Sequence, residues 1–212
     1  MMIKYPENYT KKYIESINKG LISSQFKINK EVINPEGFFN SLFKQTHKVK
    51  RENGRIFFFG NGASAAFSNH MALDWSKNGK VIAHSLSDSA MITALSNDYN
   101  YDDSFVEFLK INTPTKYDFV VTTSSSGNSP NIIKVLKFCS ENSITTLSMS
   151  GLNKDNKSYI ISDFSIFVDM KTYGIVECIH QIFHHIWLDS YLQIKEWEKT
   201  ESQDMNFENF KL

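Results

Sequence analysis

The chain has 212 residues, with 23 basic against 23 acidic side chains and a formal net charge of zero. That length suits one α/β domain with a sizeable core. The balanced charge supplies no overall field to recruit nucleic acid or an anionic membrane surface. No apolar run approaches the ~20 residues that span a bilayer, and Met1-Met2-Ile3-Lys4-Tyr5-Pro6 is not the apolar stretch of a signal peptide. The expectation is a cytoplasmic protein whose two cysteines, Cys139 and Cys178, are reduced core thiols. Seventeen Phe, nine Tyr and three Trp suit a large core or a subunit interface.

In chain order, residues 7–18 read as a helix that stops near Gly20. Asn34-Pro35-Glu36 starts a second helix, with Asn as N-cap and Pro in the first turn, running to about Arg51. Arg55-Ile56-Phe57-Phe58-Phe59 is an apolar run between glycines, the pattern of a buried parallel strand. A helix over 64–77, a strand over 80–86 and a short helix over 89–95 follow. Residues 97–101 read as a loop and 103–111 as a helix. Then come a strand over 119–122, a helix over 130–140, a strand over 144–149 and a last strand within 159–168. The chain ends in a long amphipathic helix over 175–194 and a polar tail over 196–212. Strands alternating with helices call for a parallel sheet covered on both faces. One domain over 1–212 is expected: N-terminal helices over 1–53 on the sheet or a neighbouring subunit, an α/β core over 54–195, and the tail.

Two strand–loop–helix junctions stand out. The first is Phe59-Gly60-Asn61-Gly62-Ala63-Ser64 and the second is Thr123-Ser124-Ser125-Ser126-Gly127-Asn128-Ser129. Ligands in parallel sheets bind at the carboxyl ends of strands, where both loops fall. Their backbone N–H groups and hydroxyls can converge on one anion, which points to a phosphorylated small molecule. The first loop with Ala65 also fits the dinucleotide pattern G-x-G-x-x-G/A. That reading wants an acid at the end of the next strand, and the first one there, Asp88, comes slightly late. The hydroxyl-rich second loop favours a phosphate. Each loop taken alone also fits an ordinary Gly/Ser turn with a helix N-cap.

His70 and Asp74 are four residues apart on one helix face; Glu177 and His185 are eight apart on another. Two imidazoles and two carboxylates can hold a divalent metal or act as an acid/base pair. His180, Gln181 and His184 on the same last helix compete for such a role. An i,i+4 His/Asp pair is also a common surface interaction.

On these motifs, together with Ser87-Asp88, Asn97-Asp98-Tyr99 and the 177–185 helix, the chain resembles the sugar isomerase (SIS) family and within it the phosphoheptose isomerases. The resemblance covers roughly residues 35–195. It implies a flavodoxin-like parallel sheet, a homotetramer with active sites at subunit boundaries, and zinc as cofactor. It places Asn61, Gly62, Ser64, Ser124, Ser125, Ser126 and Ser129 on a sugar phosphate, and Asp88 on substrate hydroxyls. The family's His and Glu on the first helix, and Gln and His on the last, match His70, Asp74, Glu177 and His185. These four would surround the zinc, with Asp74 as base, Glu177 as its rival and His185 as acid. Asp74 thus replaces a glutamate and Glu177 a glutamine, and an arginine of the family after the first-helix glutamate is missing from Trp75-Ser76-Lys77-Asn78. The implied reaction interconverts sedoheptulose 7-phosphate and D-glycero-D-manno-heptose 7-phosphate for bacterial surface glycans. The alternatives are isomerisation of another sugar phosphate, or a non-catalytic sensor or binding platform similar to the DnaA initiator-associating protein.

Overall fold

A computed structural model describes residues 4–200, with side chains for 4–195. The expected tail over 196–212 lies outside the residues whose side chains are described.

The centre of the molecule is a sheet whose parallel strands are β3 (Ile56–Gly60), β4 (Ala83–Ser85), β5 (Phe119–Ser124), β6 (Thr145–Gly151) and β7 (Phe164–Val168). They lie in the order β4-β3-β5-β6-β7, the flavodoxin-like arrangement. Both faces are covered, which explains the unbroken apolar run in β3. Ile56 and Phe58 join one core cluster, with Phe38, Leu42, Val176, Ile179 and Trp187. Phe57 and Phe59 join the other, with Leu95, Phe105, Leu109, Val135 and Leu136. Strand residues alternate between faces, so four consecutive apolar side chains feed two cores. Each fully buried aromatic contributes about 1.5–3 kcal/mol.

The first face carries helices α1 (Tyr9–Ser23), α2 (Pro35–Arg51) and α8 (Tyr173–Thr200). The second carries α4 (Ser89–Asp98), α5 (Ser104–Ile111), α6 (Pro130–Glu141) and the short α7 (Lys157–Ile161). The Asn34 side chain accepts from Gly37 N at 2.8 Å, the expected cap of α2.

Three local expectations change. Helix α1 does not stop at Gly20 but runs through it, because Gly20 packs against α8: a Cβ there would lie 2.5 Å from Ile179 Cδ1. The segment before α2 is not helical throughout; β1 (Gln25–Ile28) and β2 (Glu31–Ile33) form a hairpin. Strand β1 adds to the sheet antiparallel to β7, with Phe26 opposite Ile166. The sheet is therefore mixed, with seven strands, five of them parallel. Finally, helix α3 (Ala63–Asp74) gives way to a π-helical turn, Trp75–Gly79, rather than running on to Lys77. Trp75 is driven into the core against Trp187, ring centroids 4.5 Å apart, and the wider turn directly follows Asp74.

Candidate active site

The two Gly/Ser loops meet at the carboxyl ends of β3 and β5. Asn61, Ser64, Thr123, Ser124, Ser125, Ser126, Ser129 and Tyr173 line one cavity of about 70 Å³. Gly62, with φ +57, turns the chain from β3 into α3, a conformation that disfavours a side chain. Asn61 is pinned by a reciprocal amide pair with Asn131, at 3.0 and 2.9 Å, and its Oδ1 also accepts from the Tyr101 hydroxyl at 2.8 Å. That network ties the first loop to the start of α6.

In the second loop the hydroxyls brace the backbone. Ser124 Oγ accepts from Gly127 N at 3.2 Å and sits 3.4 Å from Ser129 Oγ. Gly127 has φ +61, and a Cβ there would lie 2.1 Å from Asn156 Oδ1. Ser158 N donates to Gly127 O at 3.0 Å, and Lys157 N to Asn128 Oδ1 at 3.0 Å, so the 151–158 segment backs the loop. Ser129 precedes α6 without capping it through its side chain, and Pro130 leads the helix. Pro130 has no N–H, Ile132 N donates to Asn131 Oδ1 at 2.9 Å and Ile133 N to Ser129 O at 3.0 Å, so an anion at this loop would be held chiefly by its hydroxyls. Ser125 Oγ is buried without a hydrogen-bond partner. A buried hydroxyl left unsatisfied is costly, and one that lines the cavity suits a ligand oxygen.

The second constellation lies along α3 and α8. His70 Nε2 is 3.3 Å from Asp74 Oδ2. The rings of His70 and His185 have centroids 5.4 Å apart. One donor atom from each of His70, Asp74 and His185 fits within 4.8 Å of the others. Two imidazoles and a carboxylate so placed have the donor chemistry of a divalent metal site. Glu177, half-buried on α8 two turns before His185, is not in that group. Asp88 caps α4, its Oδ1 accepting from Met91 N at 2.9 Å.

Helix α8 joins the two constellations. Tyr173, at its start, borders the cavity. His184, fully buried, brings Nε2 to 2.9 Å from Thr123 Oγ1. Burial, and then the neighbouring imidazoles of His180, His185 and His70, lower the His184 pKa to about 3. Burial lowers His180 to about 4, tempered by the Ser150 backbone. Both are neutral packing groups at neutral pH, not acid/base catalysts. Gln181 Nε2 lies 3.0 Å from His185 Nε2, and its Oε1 is buried without a partner.

Asn131, Tyr101 and Tyr173 join the site although the sequence does not single them out. Asn131 follows a proline at the start of α6, the one local cue; Tyr101 and Tyr173 carry none. Of the two thiols, Cys139 is buried, with its pKa raised by burial, whereas Cys178 is exposed rather than in the core. Among the described residues no helix is long and apolar enough to cross a membrane.

The SIS domain family model matches residues 40–151, more than half of the chain. The probable phosphoheptose isomerase of Thermoplasma volcanium is 32% identical over 192 residues, covering 84% of this chain and 90% of its own. The phosphoheptose isomerase of Helicobacter pylori is 29% identical over 183 residues, covering 80% and 93%. The solved structure of a phosphoheptose isomerase from Neisseria gonorrhoeae superposes with a TM-score of 0.71 at 21% identity, covering 87% of this chain and 98% of that one. At that identity the superposition speaks for the fold, while the sequence matches speak for the family. A flavodoxin-like sheet, two phosphate-type loops and these matches together place the chain in the SIS domain family, as a member of the phosphoheptose isomerase type.

Proposed function

We propose that this isomerase interconverts sedoheptulose 7-phosphate and D-glycero-D-manno-heptose 7-phosphate through a cis-enediol. One observation carries the reading: a hydroxyl-lined cavity and a His/Asp cluster share the helices α3 and α8. Ser64 borders the cavity and His70 lies six residues on along α3. At 1.5 Å per residue that is about 9 Å, room for an extended sugar chain between its phosphate and its reacting carbons.

In the ketose-to-aldose direction a base removes a proton from C1 while an acid protonates the C2 carbonyl oxygen. A proton then returns to C2 and the O1 proton leaves, giving the aldose. We assign the base to Asp74, whose Oδ2 faces His70 and whose other oxygen is left for the carbon proton. His185 serves the carbonyl oxygen. Glu177, outside the cluster, is kept as rival base and is not assigned to a metal. Asn61, Gly62, Ser64, Ser124, Ser125, Ser126 and Ser129 hold the phosphate and chain, spending binding energy far from the chemistry to fix C1 and C2. Asp88, while capping α4, is left for substrate hydroxyls with its second oxygen. Zinc is the proposed ion for His70, Asp74 and His185, and when bound it would stabilise negative charge developing on the substrate oxygens. A homotetramer in the cytoplasm, supplying heptose for bacterial surface glycans, fits this reading. Leu73 and Ile186, next in sequence to Asp74 and His185, are 60% and 40% exposed, apolar surface suited to a neighbouring subunit.

The test is proton NMR of the purified protein with sedoheptulose 7-phosphate in D2O, with and without added zinc. Aldoheptose 7-phosphate carrying deuterium at C2 is the expected product. Neither product nor exchange under both conditions would overturn the assignment.

A further inference from the structure

The His70–Asp74–His185 cluster supplies three donors, and tetrahedral zinc takes four, the fourth being a protein atom, water or substrate. Donor atoms about 2.0–2.1 Å from one ion stand roughly 3.3 Å from each other. His70 Nε2 and Asp74 Oδ2 already stand at 3.3 Å. A second pair meets that spacing closely: the terminal amide atom of Gln181 lies 3.0 Å from His185 Nε2. Gln181 and His185 are one helical turn apart on α8, so the two side chains share a face. Glu177 lies on the same face but a turn further away, about 12 Å along the axis from His185.

The orientation of the amide is informative. With Nε2 toward His185, Oε1 is buried without a partner. A half-turn of the amide exchanges the two atoms at almost no cost in shape. It would place Oε1, a metal-ligating oxygen, 3.0 Å from an imidazole nitrogen that is itself a ligand candidate. An N–H aimed at the lone pair of His185 Nε2 is incompatible with that lone pair binding a metal. An oxygen beside it is not.

We propose that the Gln181 amide oxygen is the fourth donor of this site, giving a His70/Asp74/Gln181/His185 set from which Glu177 is excluded. The inference rests on the metal reading above, though not on the identity of the sugar. His185, ligating through Nε2, keeps Nδ1–H for the substrate oxygen.

The experiment is titration of the metal-free full-length protein with Co²⁺, followed by its visible absorption bands and by calorimetry, with no substrate present. Wild type is expected to show intense tetrahedral-type bands. Gln181→Leu should weaken Co²⁺ binding at least tenfold and alter the bands, and Glu177→Gln should leave both within about twofold. Gln181→Glu, which keeps an oxygen at that position and adds a charge, should bind Co²⁺ at least as tightly as wild type. That arm keeps the proposal open to refutation if Gln181→Leu does not fold. Wild type failing to bind Co²⁺, Gln181→Leu binding normally, Gln181→Glu binding more weakly, or Glu177→Gln causing the loss would each overturn it. The readout needs no turnover, so a failed isomerase assay with intact Co²⁺ bands would refute the substrate and leave the donor set standing.

Discussion

The serine loop after β5 and the helix faces of α3 and α8 are both polar, and they are built in opposite ways. In the loop the Ser124 hydroxyl braces Gly127 N and lies beside those of Ser126 and Ser129, and the 151–158 segment backs the chain, while Ser125 Oγ is left without a partner. Its shape is set before any ligand arrives. On the helices the reactive atoms come from residues more than a hundred positions apart, and His70 is exposed. Only the packing of α8 on the sheet brings them together. A preformed anion cradle can bind substrate without the chemistry, whereas the chemistry depends on two helices keeping their relative positions to within about an ångström.

The largest effect should therefore fall on rate and leave binding alone. His185→Ala is expected to lower kcat by about 10³-fold or more, within the range of a lost acid/base group. Affinity for the sugar phosphate, measured by calorimetry, should stay within about threefold, because no residue of the cavity is touched. A variant that keeps full turnover would break the division of labour between loop and helices.

The reverse separation is expected from Gly127→Ala. Its φ of +61 disfavours any side chain, and the new Cβ would meet Asn156 Oδ1 at 2.1 Å. That oxygen already accepts from Tyr159 N at 2.9 Å and Ser158 Oγ at 3.0 Å, so it cannot retreat freely. Strain of about 1–3 kcal/mol should appear as a KM raised about tenfold or more, with kcat changed much less. Equal losses in kcat and KM would mean that the loop also positions the reacting carbons.

This contrast also explains what could be read in advance. The anion loops were legible because their meaning is local: glycines, hydroxyls and a following helix lie in one short stretch. The parallel core was legible from the alternation of apolar strands and amphipathic helices. The hairpin over 25–33 was not. Its strands are short, Lys27 is buried on one of them with Nζ donating to Tyr159 O, and its turn uses Asn29 at φ 55 rather than a glycine. Gly20 read as a stop because the helix that packs against it lies far along the chain. His70, Asp74 and His185 could be named by spacing and resemblance, but whether Glu177 or Gln181 stands with them depends on side-chain reach across α8. Helical periodicity puts both on the same face and does not choose.

The smallest effect tests how tightly the two regions are joined. His184 links α8 to the loop strand through Thr123 Oγ1, and His180 lies one turn before it, both fully buried and neutral. Burial lowers their pKa values from 6.5 to about 3 and about 4. As pH falls below 6.5 the unfolded chain takes up protons that the native protein refuses, so stability drops. The loss continues until the native pKa values are reached. By pH 5 each histidine should cost about 2 kcal/mol. His184→Gln, which retains a polar group near Thr123, should therefore show a shallower fall in Tm between pH 7 and pH 5 than wild type. Parallel curves would mean that His184 gains its proton in the native state, and that water reaches the junction between loop and helix.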